Sequence, residues 1–468
     1  MEVNIMTNPK ISRLNVGRKL LVQIGIVLLC MNPFFPYRIH GQDSEIQSFS
    51  LKDAQEFAVL HSYDSLKSQL DVETAKKKLR ETLADGFPQI DSNLSYLNNL
   101  ELSTVLIPDF FGGDLTKKIP VQFGTQHNAN FSITVSQKIF DVSYIVGLNT
   151  SKIYTQLADQ GYERTQLDVK ETVTNTYFLI LVSEESETII KANIENLEKT
   201  LYEISESHKE GFVEETDVDV IQISVTALKN SLQNVNKQTD VAYKLLKFQM
   251  GLDLEEKIEI TEELEDILRQ IDIQEAISAE FDLSQNIDYK LLNTQEKLAE
   301  MAHKNAKAKY WPSISAFYSF QQAAQRDSFN FLNFNHDWFR SQIFGINIYI
   351  PIFKSGGERA RVAQAAIALE KARTAMAQAS QGILLEDARA RNDLSAAYEN
   401  YLNVKDNMEL SEKVYDTTLI KYEEGMASST DLTQANDRYL LSQSNYIQAI
   451  SALLSAKNKL DRIRDTYE

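Results

Sequence analysis

A short sequence pattern occurs twice in this chain, at residues 209–217 and again at residues 423–431. The residues that recur are Gly211, Thr216 and Asp217 in the first segment and Gly425, Thr430 and Asp431 in the second. The offset between them is 214 positions, and the flanking sequences keep the same offset in a heptad pattern. A motif that repeats together with its flanks predicts two structural repeats with the same fold.

Apolar or small residues flank each pattern at alternating steps of three and four. The inward positions before the turn include Ile190, Ile194, Leu197, Leu201, Ile204 and His208 in the first repeat, and Val404, Met408, Ser411, Tyr415, Thr418 and Tyr422 in the second. After the turn they include Val218, Ile221, Val225 and Leu228, and then Leu432, Ala435, Tyr439 and Ser442. Each pattern therefore predicts a turn between two helices of a left-handed coiled coil.

The helix before each turn is predicted to be long. No proline occurs between Asp141 and Gly211 or between Lys354 and Gly425. At 1.5 Å per residue, each of these helices could extend for about 100 Å. Glu187 also falls on an inward position of the first long helix, and the sequence leaves open whether it faces a lumen or a buried partner.

Ahead of each long helix the period of the sequence changes from about 3.5 to 2. Apolar residues alternate with polar ones over residues 131–139 and 344–350, which predicts a strand in each place. Partner strands are predicted to begin after Pro88 and Pro312. Each repeat thus supplies two strands of about nine to eleven residues, the length that a tilted transmembrane strand needs. Outer loops are predicted between them, at Asn98–Asn128 and Gln321–Phe339.

The predicted organisation follows from these elements. A shorter helix precedes each strand pair, at about Ser50–Asp85 and Leu283–Tyr310. A signal peptide is predicted at 1–41 and an acidic linker at 253–280. The first repeat is predicted at 42–252, with its hairpin at about 88–141 and its tip at 209–217. The second repeat is predicted at 281–468, with its hairpin at about 312–353 and its tip at 423–431. The predicted fold class is a mixed α and β membrane protein, in which a long α-helical coiled-coil barrel joins a transmembrane β-barrel with four strands per chain. Because the smallest membrane barrels use about eight strands, several chains must combine theirs.

The first residues of the chain predict secretion. Basic residues lead into an apolar run from Leu20 to Cys30, which is typical of a signal peptide, and small Gly41 suits the cleavage position. Bulky Leu29 disfavours lipid attachment at Cys30, the only cysteine, so the mature chain is expected to have no thiol. No later stretch offers about 18 consecutive apolar residues, so a membrane crossing must use strands closed into a barrel.

Charge and motif composition exclude several functions. The net charge of −18 would repel a phosphate backbone, so nucleic acid is excluded as a partner. The six histidines lack the paired spacing of a metal site. The pairs Gly112-Gly113 and Gly356-Gly357 lack the downstream Gly-Lys-Ser/Thr that binds phosphates. We therefore expect no catalytic residue, no metal and no cofactor, and an enzyme is the least favoured class.

In their order, these features resemble the TolC-type outer-membrane efflux proteins over essentially the whole mature chain. The residues that carry the resemblance are Ser50-Leu51-Lys52-Asp53-Ala54 at the first helix, Pro88 and Pro312 before strands, the repeated tip pattern, and Ile350-Pro351-Ile352-Phe353-Lys354-Ser355-Gly356-Gly357 at a strand-to-helix junction, echoed by Lys138-Ile139-Phe140-Asp141. The resemblance implies a homotrimer whose barrel is closed by trimerisation in the lipid of the cell outer membrane, with the helical barrel in the periplasm. It also implies a passive channel of a tripartite efflux or type I secretion system, with a periplasmic adaptor and an inner-membrane pump of the RND or ABC type as partners.

The same resemblance implies that the helix tips close the periplasmic end. The candidate gate residues are Asp217, Tyr422 and Asp431, and the candidate adaptor-contact residues are Gly211, Thr216, Gly425 and Thr430. The chain departs from the family pattern at Ala427, where an arginine would bind a neighbouring carboxylate, and at Gln434, where a second acidic ring would lie. Because an arginine–carboxylate link is a strong contact, its absence predicts a gate held by other contacts.

A simpler interpretation of the tips stays open. Asp217 and Asp431 would cap the helices after the turns, assisted by Thr216 and Thr430, because Asp is a preferred N-cap residue. The two tip glycines would end the preceding helices in the left-handed conformation. The alternative function is a soluble periplasmic coiled-coil adaptor, which would share the signal peptide and long helices but lack membrane strands. Nothing in the sequence specifies the exported substrate.

Overall fold

The computed structural model describes residues 47–110, 112, 114–331, 333 and 335–467. The predicted signal peptide with Cys30 lies outside the described residues, as does Gly113. None of the described helices combines the length and apolar character needed to span a lipid bilayer.

Helices of very different lengths make up most of the described chain. The helices are α1 (Leu51–His61), α2 (Tyr63–Ala84), α3 (Val142–Lys209), α4 (Glu215–Met250), α5 (Leu264–Gln270), α6 (Ile273–Ser278), α7 (Ile287–Ala308), α8 (Gly357–Glu423) and α9 (Ser429–Arg464). The strands are β1 (Gln47–Phe49), β2 (Gln89–Asn98), β3 (Thr104–Asp109), β4 (Asp114–Gln122), β5 (His127–Phe140), β6 (Ile258–Ile260), β7 (Ser313–Arg326) and β8 (Phe339–Tyr349). The order of helix, strand pair, long helix, turn and helix therefore occurs twice.

Strands β2, β5, β7 and β8 form one antiparallel sheet in that order. Strands occur in all four predicted places, although β5 and β7 are longer than predicted, with 14 residues each. Pairing of β2 with β5 and of β7 with β8 forms a hairpin in each repeat, and pairing of β5 with β7 joins the two repeats. The sheet has two edge strands, β2 and β8.

The first predicted outer loop was wrong in one respect, because Asn98–Asn128 contains a second hairpin. Strands β3 and β4 pair antiparallel, with Val105 opposite Val121 and Ile107 opposite Ile119. Cross-strand pairs of β-branched residues stabilise such a hairpin. The polar and glycine-rich residues at its two ends hid this short alternation in the sequence.

The first short helix differs from the prediction as well, because it is two helices. Ser62 lies between α1 and α2 with extended backbone, and its side chain accepts a hydrogen bond from the Ser65 backbone N–H. Ser62 therefore acts as the N-cap of α2 and redirects the chain. The corresponding helix of the second repeat, α7, begins at Ile287, where Asn286 caps it.

The long helices pair as predicted, α3 with α4 and α8 with α9. Helix α3 contains 68 residues and α8 contains 67, which supports the expected length of about 100 Å for each. The predicted inward positions are buried or partly buried, with one exception. His208 is exposed, and its Nδ1 lies 2.9 Å from the Val213 carbonyl oxygen. Glu187 forms an ion pair with Lys191 at 2.5 Å, so its partner lies on its own helix.

A central core joins the two helical pairs to the linker between the repeats. Its fully buried side chains include Tyr177, Leu246, Met250, Ile450 and Leu454. Within the linker, β6 pairs in parallel with β1 at the start of the described chain. Glu262 also fixes the linker, because its Oε2 accepts hydrogen bonds from the Tyr177 hydroxyl and the Leu51 N–H, each at 2.6 Å. Burial, and then this contact with Glu262, raises the pKa of Tyr177.

A buried ion cluster ties the end of α9 to its neighbours. Asp387 of α8 is 1% exposed, accepts a hydrogen bond from Arg464 Nε at 2.8 Å and forms an ion pair with Arg391 Nη2 at 2.8 Å. Arg464 Nη1 also donates to the Ala276 carbonyl oxygen at 2.7 Å. One arginine thus connects α8, α9 and the linker helix α6.

We predict that Asp387→Ala destabilises the protein by about 3–5 kcal/mol, because it leaves a buried guanidinium without its carboxylate. Guanidinium chloride unfolding at fixed protein concentration measures the change. The control is Asp240→Ala, which removes an exposed ion pair with Lys244 and should leave the unfolding midpoint almost unchanged. Equal shifts of the unfolding midpoint in the two variants would show that the buried cluster stabilises the protein no more than an exposed ion pair does.

Candidate functional site at the paired helix tips

Both tip glycines end their helices as predicted. Gly211 has φ of 84° and Gly425 has φ of 72°, both in the left-handed region. In each tip the residue after the glycine donates its backbone N–H five residues back, from Phe212 to Ser207 O at 3.0 Å and from Met426 to Lys421 O at 2.7 Å. This pattern satisfies carbonyl groups that a helix end leaves free.

The second tip closes with a side-chain cap, but Asp431 is not the N-cap that the sequence predicted. Ser428 is the N-cap of α9, and its Oγ accepts a hydrogen bond from the Asp431 backbone N–H at 3.1 Å. In return, Asp431 Oδ2 accepts from the Ser428 N–H at 3.0 Å and from its hydroxyl at 2.7 Å. These contacts form a capping box, and the hydrogen bonds from Ser428 lower the pKa of Asp431.

The first tip has a different arrangement at the same positions. Glu214 is the N-cap of α4 and makes no side-chain cap hydrogen bond. Glu214 has no hydroxyl with which to form a capping box, so Asp217 does not make the contacts that Asp431 makes with Ser428. Instead, Asp217 Oδ1 accepts a short hydrogen bond from the hydroxyl of Ser429, the first residue of α9. Asp217 therefore connects the two tips rather than capping its own helix.

Tyr422 is the second connection between the tips. Its side chain packs against the core of the first tip, which includes Ile204 and Ile221, and against that of the second, which includes Tyr415 and Leu432. Burial, and then the negative charge of Asp217, raises the pKa of Tyr422. Two of the three candidate gate residues, Asp217 and Tyr422, are thus brought together, whereas Asp431 serves its own helix.

A cleft of about 710 Å³ lies between the tips. Its walls include Glu203, Ile204 and Asp217 from the first tip and Tyr422 and Ser429 from the second. Ala427 also lines this cleft, at the position where the family pattern would have an arginine. Gln434 is exposed on α9.

The candidate adaptor-contact residues lie at the exposed ends of the tips. Thr216 and Thr430 are both exposed. Two apolar residues that were not among the predicted ones lie beside them, Phe212 at 84% exposure and Met426 at 71%. The repeat itself could have identified them, since both directly follow the tip glycines. It could also have identified Ser428 as a cap, because Ser at the N-cap and Asp three residues later is the pattern of a capping box.

Within the described ranges, no group of three or more histidine, cysteine or acidic side chains is placed to hold a metal ion. The contacts described at this site are hydrogen bonds and apolar packing between two helical hairpins.

Comparison with solved structures places this fold among outer membrane channels. VceC, an outer membrane protein of Vibrio cholerae, is 13% identical over 88% of this chain and 95% of its own, with a TM-score of 0.67. The Campylobacter jejuni outer membrane channel CmeC is 14% identical over 93% of this chain and 95% of its own, with a TM-score of 0.69. The open state of the Neisseria gonorrhoeae outer membrane channel MtrE is 15% identical over 88% of each chain, with a TM-score of 0.68. At these identities the likeness establishes the fold.

The sequence gives independent support over its second repeat. No curated protein matches the sequence significantly. The family model described as outer membrane efflux protein matches residues 284–464. The resemblance inferred from the sequence is therefore confirmed for residues 284–464, which match the family model of outer membrane efflux proteins, and over most of its length the chain has the fold of outer membrane channels.

Proposed function

We propose that this protein is the outer membrane channel of a tripartite efflux or type I secretion system and conducts substrates passively. The proposal depends on one observation. The same chain forms an antiparallel sheet with one apolar and one polar face and two helices of 68 and 67 residues. The sheet suits a lipid bilayer, and helices of about 100 Å have the reach to extend far from the membrane. The chain itself catalyses nothing in this proposal, and the energy for transport comes from its partners.

The proposed assembly is a homotrimer in the cell outer membrane. One sheet of four strands is too small to close around a lumen, and its edges β2 and β8 leave backbone groups available for pairing. Three copies would give a twelve-stranded barrel, and the helical pairs of the two repeats, proposed at 42–252 and 281–468, would continue it as a duct.

A periplasmic adaptor and an inner-membrane pump of the RND or ABC type are the proposed partners. The tips are the free ends of the helical hairpins, so an adaptor from the periplasm would meet them first. Gly211 and Gly425 leave backbone exposed there, and Phe212 and Met426 offer apolar surface. Exposed apolar groups beside polar Thr216 and Thr430 suit contact with another protein.

The rival function, a soluble periplasmic adaptor, shares the helical hairpins but does not need the sheet. The apolar face of the sheet is exposed in the single chain, with Leu94 at 72% and Phe344 at 71%. A soluble protein rarely leaves such a continuous face uncovered, which favours the channel.

We predict that the expressed protein sediments with outer membranes and stays there after washing with salt and urea, because its apolar sheet face contacts lipid. Mild detergent should release it as a trimer that conducts ions in a planar bilayer. Recovery of the protein in the soluble periplasm of untreated cells would refute the channel function and favour the adaptor.

The gate at the tips is proposed to be held by Asp217, Ser429 and Tyr422 in place of the family arginine. A hydroxyl donor to a carboxylate contributes about 1.5–3 kcal/mol, and a shift of 1.4 kcal/mol changes a two-state ratio about tenfold. We therefore predict that Ser429→Ala and Asp217→Ala each raise the open fraction by roughly tenfold, measured as single-channel open probability without partners. The double variant should add little, since both changes remove one contact.

The control for this gate is Ser444→Ala, an exposed serine on the same helix α9. It should leave the open probability unchanged. An unchanged open probability in both Ser429→Ala and Asp217→Ala would assign the contact between the tips to packing alone.

Asp431 is proposed to act on the gate through the start of α9. Asp431→Ala removes half of the capping box, so we predict a rise in conductance or an altered cation preference that accompanies loosening of this helix end. Amide hydrogen exchange at residues 428–432 measures the loosening. Faster exchange with unchanged conductance and selectivity would reduce Asp431 to a cap.

A further inference from the structure

The strand register separates the side chains of the sheet into two chemically different faces. One face is mainly apolar, and it comprises Ile90, Ser92, Leu94, Tyr96 and Asn98 of β2, His127, Ala129, Phe131, Ile133, Val135 and Gln137 of β5, Ile314, Ala316, Tyr318, Phe320, Gln322, Ala324 and Arg326 of β7, and Arg340, Gln342, Phe344, Ile346 and Ile348 of β8. The other is mainly polar, and it comprises Gln89, Asp91, Asn93, Ser95 and Leu97 of β2, Asn128, Asn130, Ser132, Thr134, Ser136 and Lys138 of β5, Ser313, Ser315, Phe317, Ser319, Gln321, Ala323 and Gln325 of β7, and Phe339, Ser341, Ile343, Gly345, Asn347 and Tyr349 of β8. In the proposed channel, the apolar face contacts lipid and the polar face lines the lumen.

The polar face carries almost no charge. Of its side chains in the described sheet, only Asp91 and Lys138 are charged at neutral pH, and their charges are opposite. Both lie at the end of the sheet that leads into the helices. This neutrality does not follow from the composition, because the chain as a whole has a net charge of −18.

Amide and hydroxyl groups take the place of charges on this face. Gln321 Nε2 donates to Asn130 Oδ1 at 2.7 Å, and the hydroxyls of Thr134 and Ser319 lie 3.2 Å apart. Both pairs cross from β5 to β7, where the two repeats meet. Each of these side chains is only partly buried and has further capacity to donate or accept hydrogen bonds.

Aromatic surface lies within this polar face. The ring of Phe317 lies over Gly345, with a ring carbon 2.6 Å from where a Cβ on that glycine would be. A side chain at Gly345 would displace the ring, so glycine keeps the ring flat along the wall. Flat aromatic rings beside neutral hydrogen-bonding groups match molecules with both hydroxyl groups and apolar C–H faces.

We propose that the membrane section of the channel favours uncharged, hydroxyl-rich substrates of the oligosaccharide class over organic cations. This inference rests on the proposed channel function, because the polar face must line a lumen. A wall of neutral donors and acceptors exchanges hydrogen bonds with such a substrate at little desolvation cost, whereas it offers a cation no counter-charge.

The first test asks whether the polar face lines the pore. Asn130→Asp and Gln321→Glu each place three near-isosteric carboxylates on the wall of a trimer. At about 10 Å and 0.1 M salt, these charges should raise the cation-over-anion permeability ratio of the reconstituted trimer roughly two- to threefold. The matched control is Gln274→Glu, which adds the same charge at an exposed position of the linker and should leave the ratio unchanged.

The second test uses maltohexaose as the uncharged probe and tetra-arginine as the cationic one. We expect maltohexaose to block the ion current reversibly at lower concentration than tetra-arginine in the unmodified trimer. Gln321→Leu and Phe317→Ala should each weaken the sugar block severalfold while trimer yield stays close to that of the unmodified protein. Two variants with different chemistry protect the test against a folding defect in one of them.

The outcomes separate this inference from the function on which it rests. Absence of any current from correctly inserted trimers would refute the channel function itself. Two outcomes would overturn the substrate class alone. One is a current whose ion selectivity is the same with and without Asn130→Asp and Gln321→Glu. The other is block by tetra-arginine at lower concentration than by maltohexaose. Sugar block that neither Gln321→Leu nor Phe317→Ala weakens would also overturn it.

Discussion

The structure depends on one constraint: a sheet of four strands with an apolar face cannot cover that face by itself. In the part of the chain that the structure describes, no second layer packs on this face, and the helices that follow β5 and β8 leave the sheet. Lipid on that face, and other copies at the edges β2 and β8, would satisfy both the apolar side chains and the free backbone groups. In the proposed channel, the position of the sheet in the membrane and the need for several copies both follow from this condition.

The two repeats are joined at both ends of the helical pairs and also between them. At the sheet, the long pairing of β5 with β7 is the junction. In the middle, the linker is held by the pairing of β6 with β1 and by the hydrogen bonds of Glu262 to Tyr177 and Leu51. At the tips, the junction includes the hydrogen bond from Ser429 to Asp217 and the packing of Tyr422 against both tips. In the proposed channel, separation of the tips would have to break these contacts.

Much of this fold could be predicted from the sequence because it depends on periodicity. The change from a period near 3.5 to a period of 2 located the four strands of the sheet, and the heptads gave the inward positions of the helices. The prediction failed where a local interaction decided the outcome: Ser62 divided a helix by capping the second half, and cross-strand pairs such as Val105 with Val121 formed a hairpin within a predicted loop. At the tips, the motif identified the right positions, but the partner of each Asp depended on whether the residue three positions earlier was Ser or Glu. The contact of Asp217 with Ser429 joins residues far apart in sequence and has no sequence signature.

The missing cap of α4 has a mechanical consequence. Helix α9 begins with a reciprocal capping box at Ser428 and Asp431, whereas α4 begins at Glu214 without a side-chain cap. A cap of this kind contributes about 1 kcal/mol, so the first turn of α4 frays more readily than that of α9. The duplicated hairpins therefore form a stiff half and a compliant half. In the proposed gate, a movement that separates them would therefore start at the first turn of α4, with the capped first turn of α9 as its support.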